Sequence, residues 1–161
     1  MSGARLEGVT PPLNDYASRA VRALVLLHDA QMRDFFGVWQ RARAANVRLP
    51  ATDDPHYRSL EHLLEHVFRS AEAYVVDVCR QVNLPDLQPP PIPPPEQVEA
   101  QGPATLERLL AWYRLPLARV TDADLELGDE DQDLLDSQLE HAVMHPMRHA
   151  FQLRELMGEQ P

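Results

Sequence analysis

The chain has 161 residues, 44% hydrophobic and 25% charged, enough for one domain with a substantial core. Its 15 Lys and Arg face 25 Asp and Glu, a formal net charge of −10, and no stretch gathers enough basic side chains to track a phosphate backbone, so no nucleic-acid partner is expected. The one cysteine, Cys79, has no partner for an internal disulfide, and neither the N-terminal stretch nor any apolar run reads as a signal or a membrane span, so the expectation is a cytoplasmic protein without a membrane partner.

From about Asn14, a plausible cap, to about Ala45, Val21, Leu24, Val25, Met32, Phe35, Phe36 and Trp39 recur at three- and four-residue steps, which predicts a long amphipathic helix. A second helix is expected from "DDPHY", with Asp54 as cap and Pro55 in the first turn, carrying Leu60, Leu63, Leu64, Val67, Ala71, Tyr74, Val75 and Val78 toward Val82. Cys79 lies in its stretch "AYVVDVC" and reads as a small packed side chain rather than a nucleophile. Residues 84–102, rich in proline, read as an extended, stiff crossover linker. A shorter helix then runs from Pro103 through "ATLERLLAWYRLPLARV", weakened near Pro116, and a fourth from about Asp129 to Met157. No alternating apolar run suggests a strand.

Helices with one apolar stripe each must hide those stripes on one another, so residues 1–161 are expected to form a single all-α domain, a four-helix bundle. Helix 2 spans about 40 Å at about 1.5 Å per residue, and an extended linker at about 3.1 Å per residue can return along all of it. Helices 2 and 3 can then run parallel while the shorter links join antiparallel neighbours, giving an up-down-down-up order.

The chemistry concentrates in histidines four apart. On a helix such residues sit one turn along the same side, where two imidazoles can reach one ion. The last helix carries His141, His145 and His149 in "EHAVMHPMRHAFQL", and measured against its apolar stripe His145 and His149 are the inward-reaching pair. Helix 2 carries His62 and His66, of which His66 flanks the apolar face and offers a third ligand. Three neutral imidazoles leave a coordination position open for a water that ionises near neutral pH or for a thiol held as thiolate. Pro146 cannot donate to the Ala142 carbonyl and is expected to bend the helix between His145 and His149. His28 falls inside the first apolar stripe and reads as a hydrogen-bonded core residue, whereas His56 is expected in solvent. Glu65, Glu72 and Glu140 are candidates for orienting imidazoles or moving protons.

Sharper motifs are missing. Neither "HAVMH" nor "HPMRH" has the glutamate of a metalloprotease helix, and no histidine follows a glutamate by three, as a di-iron carboxylate site requires. The acidic stretch from Asp122 to Asp133 is a poor calcium loop, with Leu127 at the glycine position and Asp133 in place of the bidentate glutamate.

Taken together, "SLEHLLEHVFRSAEAYV" and "HPMRHAFQLREL" resemble the DinB/YfiT-like metalloenzyme superfamily, over nearly the whole chain though on a short specific pattern. The resemblance implies a bundle of up-down-down-up order. It also implies a metal triad at His66, His145 and His149, with Gln152 matching the glutamine that follows the last ligand. Zinc is the expected divalent metal ion, with nickel, iron or manganese as alternatives. A low-molecular-weight thiol such as bacillithiol or mycothiol, a small-molecule substrate and a homodimer are implied as well. Ala150 and Phe151 stand where many relatives have arginine and glycine, and His62 and His141 lie beyond the pattern as alternative ligands or pocket groups. The expected function is therefore a metal-dependent, thiol-dependent S-transferase. The alternatives are a metal-dependent hydrolase, or a non-catalytic bundle acting as a dimerisation or ligand-binding module.

Overall fold

In the computed structural model, residues 12, 14–85, 88–127 and 134–159 are described; they form helices and loops, with no strand among them. Four long helices, α1 (Arg19–Ala44), α2 (Leu60–Gln81), α3 (Pro95–Leu117) and α4 (Leu135–Met157), pack as a bundle, with short 3-10 turns at Pro55–Tyr57 and Asp124–Glu126.

The ends of these helices follow local chemistry. Ser18, not Asn14, caps α1: its hydroxyl accepts from the Val21 amide at 3.1 Å and donates to Asp122. The signal at Asp54 and Pro55 makes only a 3-10 turn, after which Ser59 restarts the chain as α2 by accepting from the His62 amide. Both α1 and α2 stop at an asparagine in the left-handed region, Asn46 (φ 51°) and Asn83 (φ 54°). In each, the following amide reaches back into the last turn, Val47 to Ala42 at 3.0 Å and Leu84 to Cys79 at 2.9 Å, while Val47 and Leu84 tuck against the core.

The largest departure from expectation is α3, which begins at Pro95 rather than Pro103, so residues 95–102 of the supposed linker are helical. Pro94 and Pro95 sit where the amide hydrogens of a helix are unpaired anyway. Pro103 is solvent-exposed, so the Glu99 carbonyl that loses its intrahelical donor can turn to water. Meanwhile Val98, Gly102, Thr105, Leu106 and Leu109 keep a buried stripe running straight through the proline. Packing outweighs the local penalty. The rest of the crossover is not a free spacer either, since Pro93 is buried and Ile92 packs against the core. The expected start of the fourth helix near Asp129 lies outside the described residues.

Ion pairs fix the directions of the helices. Arg43, in the last turn of α1, meets Glu61 at 3.1 Å and Glu99 at 3.2 Å, so the N-terminal ends of α2 and α3 share one end of the bundle. Arg41 reaches Glu159 at 3.0 Å just beyond α4, and Arg154 reaches Asp34 at 2.6 Å, so α4 ends where α1 ends. Thus α1 and α4 run one way, and α2 and α3 the other.

The core is apolar and continuous, built on Met32, Phe35, Leu64, Phe68, Leu109 and Leu139 among others. Burying each such side chain contributes about 1.5–3 kcal/mol. The Trp39 indole donates to the Leu60 carbonyl at 2.6 Å, which pins the start of α2 to α1 and so sets the height of His66. Cys79 is buried, in agreement with a packing role.

Candidate metal centre

His66 comes from the second turn of α2 and His145 and His149 from successive turns of α4, and the bundle folds their rings onto one point. One nitrogen from each lies within 4.8 Å of the others, and no other such group of three occurs among the described residues. The Nε2 atoms of His66 and His145 are 3.1 Å apart, near the edge of about 3.3 Å spanned by two nitrogens on a tetrahedral ion at about 2.05 Å. The rings stand nearly edge-on to one another, 86° between His66 and His149 and 77° between His145 and His149, rather than stacked face to face.

His149 shows how one ring is aimed. Its Nδ1 lies 3.0 Å from Gln152 Oε1, an acceptor, so Nδ1 carries the hydrogen and Nε2 keeps the lone pair. Tyr57 donates its hydroxyl to the same oxygen at 3.0 Å and stands 3.3 Å from Nδ1, holding the amide in place. His149 Nε2 is buried without any hydrogen-bond partner in the protein. An orphaned buried acceptor facing two further imidazoles is what an ion-binding centre requires and what an ordinary core avoids.

The electrostatics agree. Burial, then His149, His66 and Arg148, hold the His145 pKa down to about 3. Burial also lowers His149 to about 4, against the Gln152 hydrogen bond that pulls it upward. His66 is lowered by burial and by His56. All three are neutral at neutral pH, with lone pairs free for a cation.

The remaining histidines separate clearly. His62 bonds through Nδ1 to the Ser59 hydroxyl at 3.0 Å and takes part in the cap. His141 is exposed beside Tyr74, with ring centroids 5.8 Å apart. Neither joins the cluster. His56 is exposed as expected, but its ring stacks on His66 at 4.0 Å, a contact the sequence did not reveal. His28 is buried as expected, yet neither ring nitrogen finds a hydrogen bond; it lies flat on Tyr113 at 4.0 Å and 7° instead. The expected hydrogen-bonded role is therefore corrected to a stacked one.

Among the described residues no carboxylate bonds to an imidazole of the cluster. Glu65 pairs with Arg69 at 2.8 Å, Glu140 is exposed, and Glu72 makes no bond to the cluster, so the positioning falls to Gln152 and Tyr57. Tyr57 was missed because the 3-10 turn that delivers it reads in sequence as the first turn of α2. Within the acidic stretch, Asp122 accepts from Ser18 and Asp124 from the Thr121 amide and hydroxyl, each at 2.8 Å, so both carboxylates serve the loop; Asp133 lies outside the described residues.

No helix of the described residues is long and apolar enough to cross a membrane. Compared with protein-family models, curated proteins and solved structures, the chain has no match.

Proposed function

We propose that this protein is a metal-dependent enzyme of the DinB/YfiT-like kind, in which His66, His145 and His149 hold one divalent cation, with zinc the first choice and nickel, iron or manganese as alternatives. The observation that carries the reading is the buried, unpartnered Nε2 of His149 facing the 3.1 Å pair of His66 and His145. A cation there supplies Lewis acidity, lowering the pKa of whatever acid takes its fourth position.

The chain's own residues do the rest. Gln152 and Tyr57 hold the His149 tautomer, burial keeps the imidazoles unprotonated, and the core around Phe35, whose ring meets His149 edge-on at 6.5 Å, excludes water from one side. No carboxylate of the described residues bonds to the cluster, and the one exposed imidazole against it, His56, lies on the His66 ring, so an acid that would ionise on the cation itself suits the site best. That favours a low-molecular-weight thiol transferred to a small-molecule electrophile, a thiol-dependent S-transferase, over hydrolysis. A cytoplasmic location and a homodimer belong to the same reading. A non-catalytic bundle for dimerisation or ligand binding is the competing one.

The test begins with element analysis of untagged protein. About one ion per chain, lost in His145→Ala and His149→Ala, supports the proposal, and stoichiometric absence after loading with zinc overturns it. Thiol transfer to 1-chloro-2,4-dinitrobenzene, measured against hydrolysis of a nitrophenyl ester, then separates transferase from hydrolase.

A further inference from the structure

Beside the histidine cluster, a cavity of about 200 Å³ opens on α4, lined by His141, Met144, His145, Met147 and Arg148. One wall is His145 itself, so whatever occupies the cavity adjoins the cluster directly. Met144 and Met147 are 57% and 44% exposed, unusual for apolar side chains placed one turn apart on a helix that buries its other face.

Arg148 is the charged member. Seven arginines of the described residues, Arg43, Arg80 and Arg154 among them, make an ion pair with a carboxylate. Arg148 makes no hydrogen bond or ion pair with any described residue, although the chain carries an excess of carboxylates. Arg148 is exposed, lines the same cavity as His145 and directly precedes His149 on α4. The wall of the cavity is almost wholly apolar, so it suits an apolar body, with an anionic group at the rim where the exposed Arg148 guanidinium can meet it. In a chain of net charge −10, such a local positive spot also favours a singly charged ligand over a polyanion.

We propose that this cavity is the substrate pocket, and that it takes a small organic carboxylate whose anionic group pairs with Arg148 and whose apolar body lies on Met144 and Met147. The proposal rests on the metal-centre reading, since it puts the ligand against His145, and it makes Arg148 a specificity-determining residue. It also accounts for Arg148 and the two methionines, which do nothing for the packing of the bundle.

Calorimetric titration with hexanoate, hexanol and hexylamine, on the protein with and without added zinc, tests it. Hexanoate should bind about tenfold or more tightly than hexanol, with hexylamine weakest. Arg148→Ala should remove the preference for hexanoate over hexanol, Arg148→Glu should invert it toward hexylamine, and Met144→Ser should weaken all three probes alike. Zinc stoichiometry should be unchanged in the Arg148 variants. Equal affinity of hexanoate for wild type and Arg148→Ala overturns the proposal. So does the absence of binding by any probe, with sedimentation showing that Met144→Ser dissociates a dimer, in which case the methionines are a contact between copies. Because the titration is read in both zinc conditions, failure of the metal centre shows separately as lost zinc binding with the Arg148 dependence still visible.

Discussion

Gln152 Oε1 lies 3.0 Å from His149 Nδ1, one helical turn away on the same face of α4. The contact fixes which nitrogen of His149 is free, so the glutamine would act on a bound cation without touching it. Gln152→Leu is expected to leave the fold intact and weaken zinc binding by about 10- to 100-fold. Tyr57→Phe should have a smaller effect in the same direction, while His149→Ala should abolish stoichiometric binding. Competition with a chelating dye reads all three; unchanged affinity in Gln152→Leu would remove the orienting role.

His28 offers a prediction independent of any metal. Burial holds its pKa at about 3 against an ordinary 6.5, with nearby Asp29 pulling weakly the other way. As pH falls below about 6.5 the unfolded chain takes up a proton that the native state refuses. The stability tied to neutral His28 is thus fully present above that pH and is lost progressively toward pH 3. His28→Phe keeps the flat stack on Tyr113, removes two unpartnered polar atoms, and should raise stability by about 1 kcal/mol at neutral pH. It should also flatten the acid slope by up to about 1.4 kcal/mol per pH unit, the contribution of one proton. Urea melts at several pH values decide; an unaltered slope would rule the account out.

Gly102 marks a close approach of α3 to α1. A Cβ there would meet Phe36 Cε2 at 2.9 Å and Cζ at 3.1 Å. The Phe36 ring has little room to yield, because it stacks between Trp39 and Phe68 with centroids 6.0 and 6.4 Å away. Alanine gains about 1 kcal/mol of helix propensity, but overpacking costs about 1–3 kcal/mol, so Gly102→Ala should be net destabilising by roughly 1 kcal/mol. Adding Phe36→Leu should recover part of the loss, measurable as non-additivity in a double-mutant cycle.

Pro146 sits inside α4 between two of the clustered histidines and leaves the Ala142 carbonyl without its usual donor. Pro146→Ala restores that bond and should stabilise the bundle by roughly 1 kcal/mol after the loss of a buried ring. If the proline also sets the 77° angle between His145 and His149, zinc affinity falls on the order of tenfold in the same variant. Higher stability with unchanged affinity would make the proline a matter of bundle shape alone.

Much of this architecture was legible in the sequence because apolar spacing survives local irregularity. The three- and four-residue steps from Val21 to Trp39 mark the buried face of α1, and the same arithmetic chose His66, His145 and His149 from seven histidines. What local signals could not show was their competition with packing. The prolines before Val98 argued for an extended linker, but the buried stripe through Gly102 and Thr105 made that stretch helix. Asp54 and Pro55 gave a sound start signal that a better one at Ser59 superseded, and Tyr57 and His56 went unread as neighbours of the cluster. For His28, periodicity found the burial but carried no information on whether its nitrogens would find partners.

The separation of the clustered histidines along the chain has a mechanical consequence. His66 and His145 are 79 residues apart, so an ion gripped by both would tether two distant parts of the polypeptide. By analogy with a covalent bridge closing a loop of that length, such a reversible cross-link could subtract about 4–5 kcal/mol of freedom from the unfolded ensemble. Chelators should then speed global unfolding as well as empty the site, and the rate at which the ion escapes should track the rate at which the whole bundle opens.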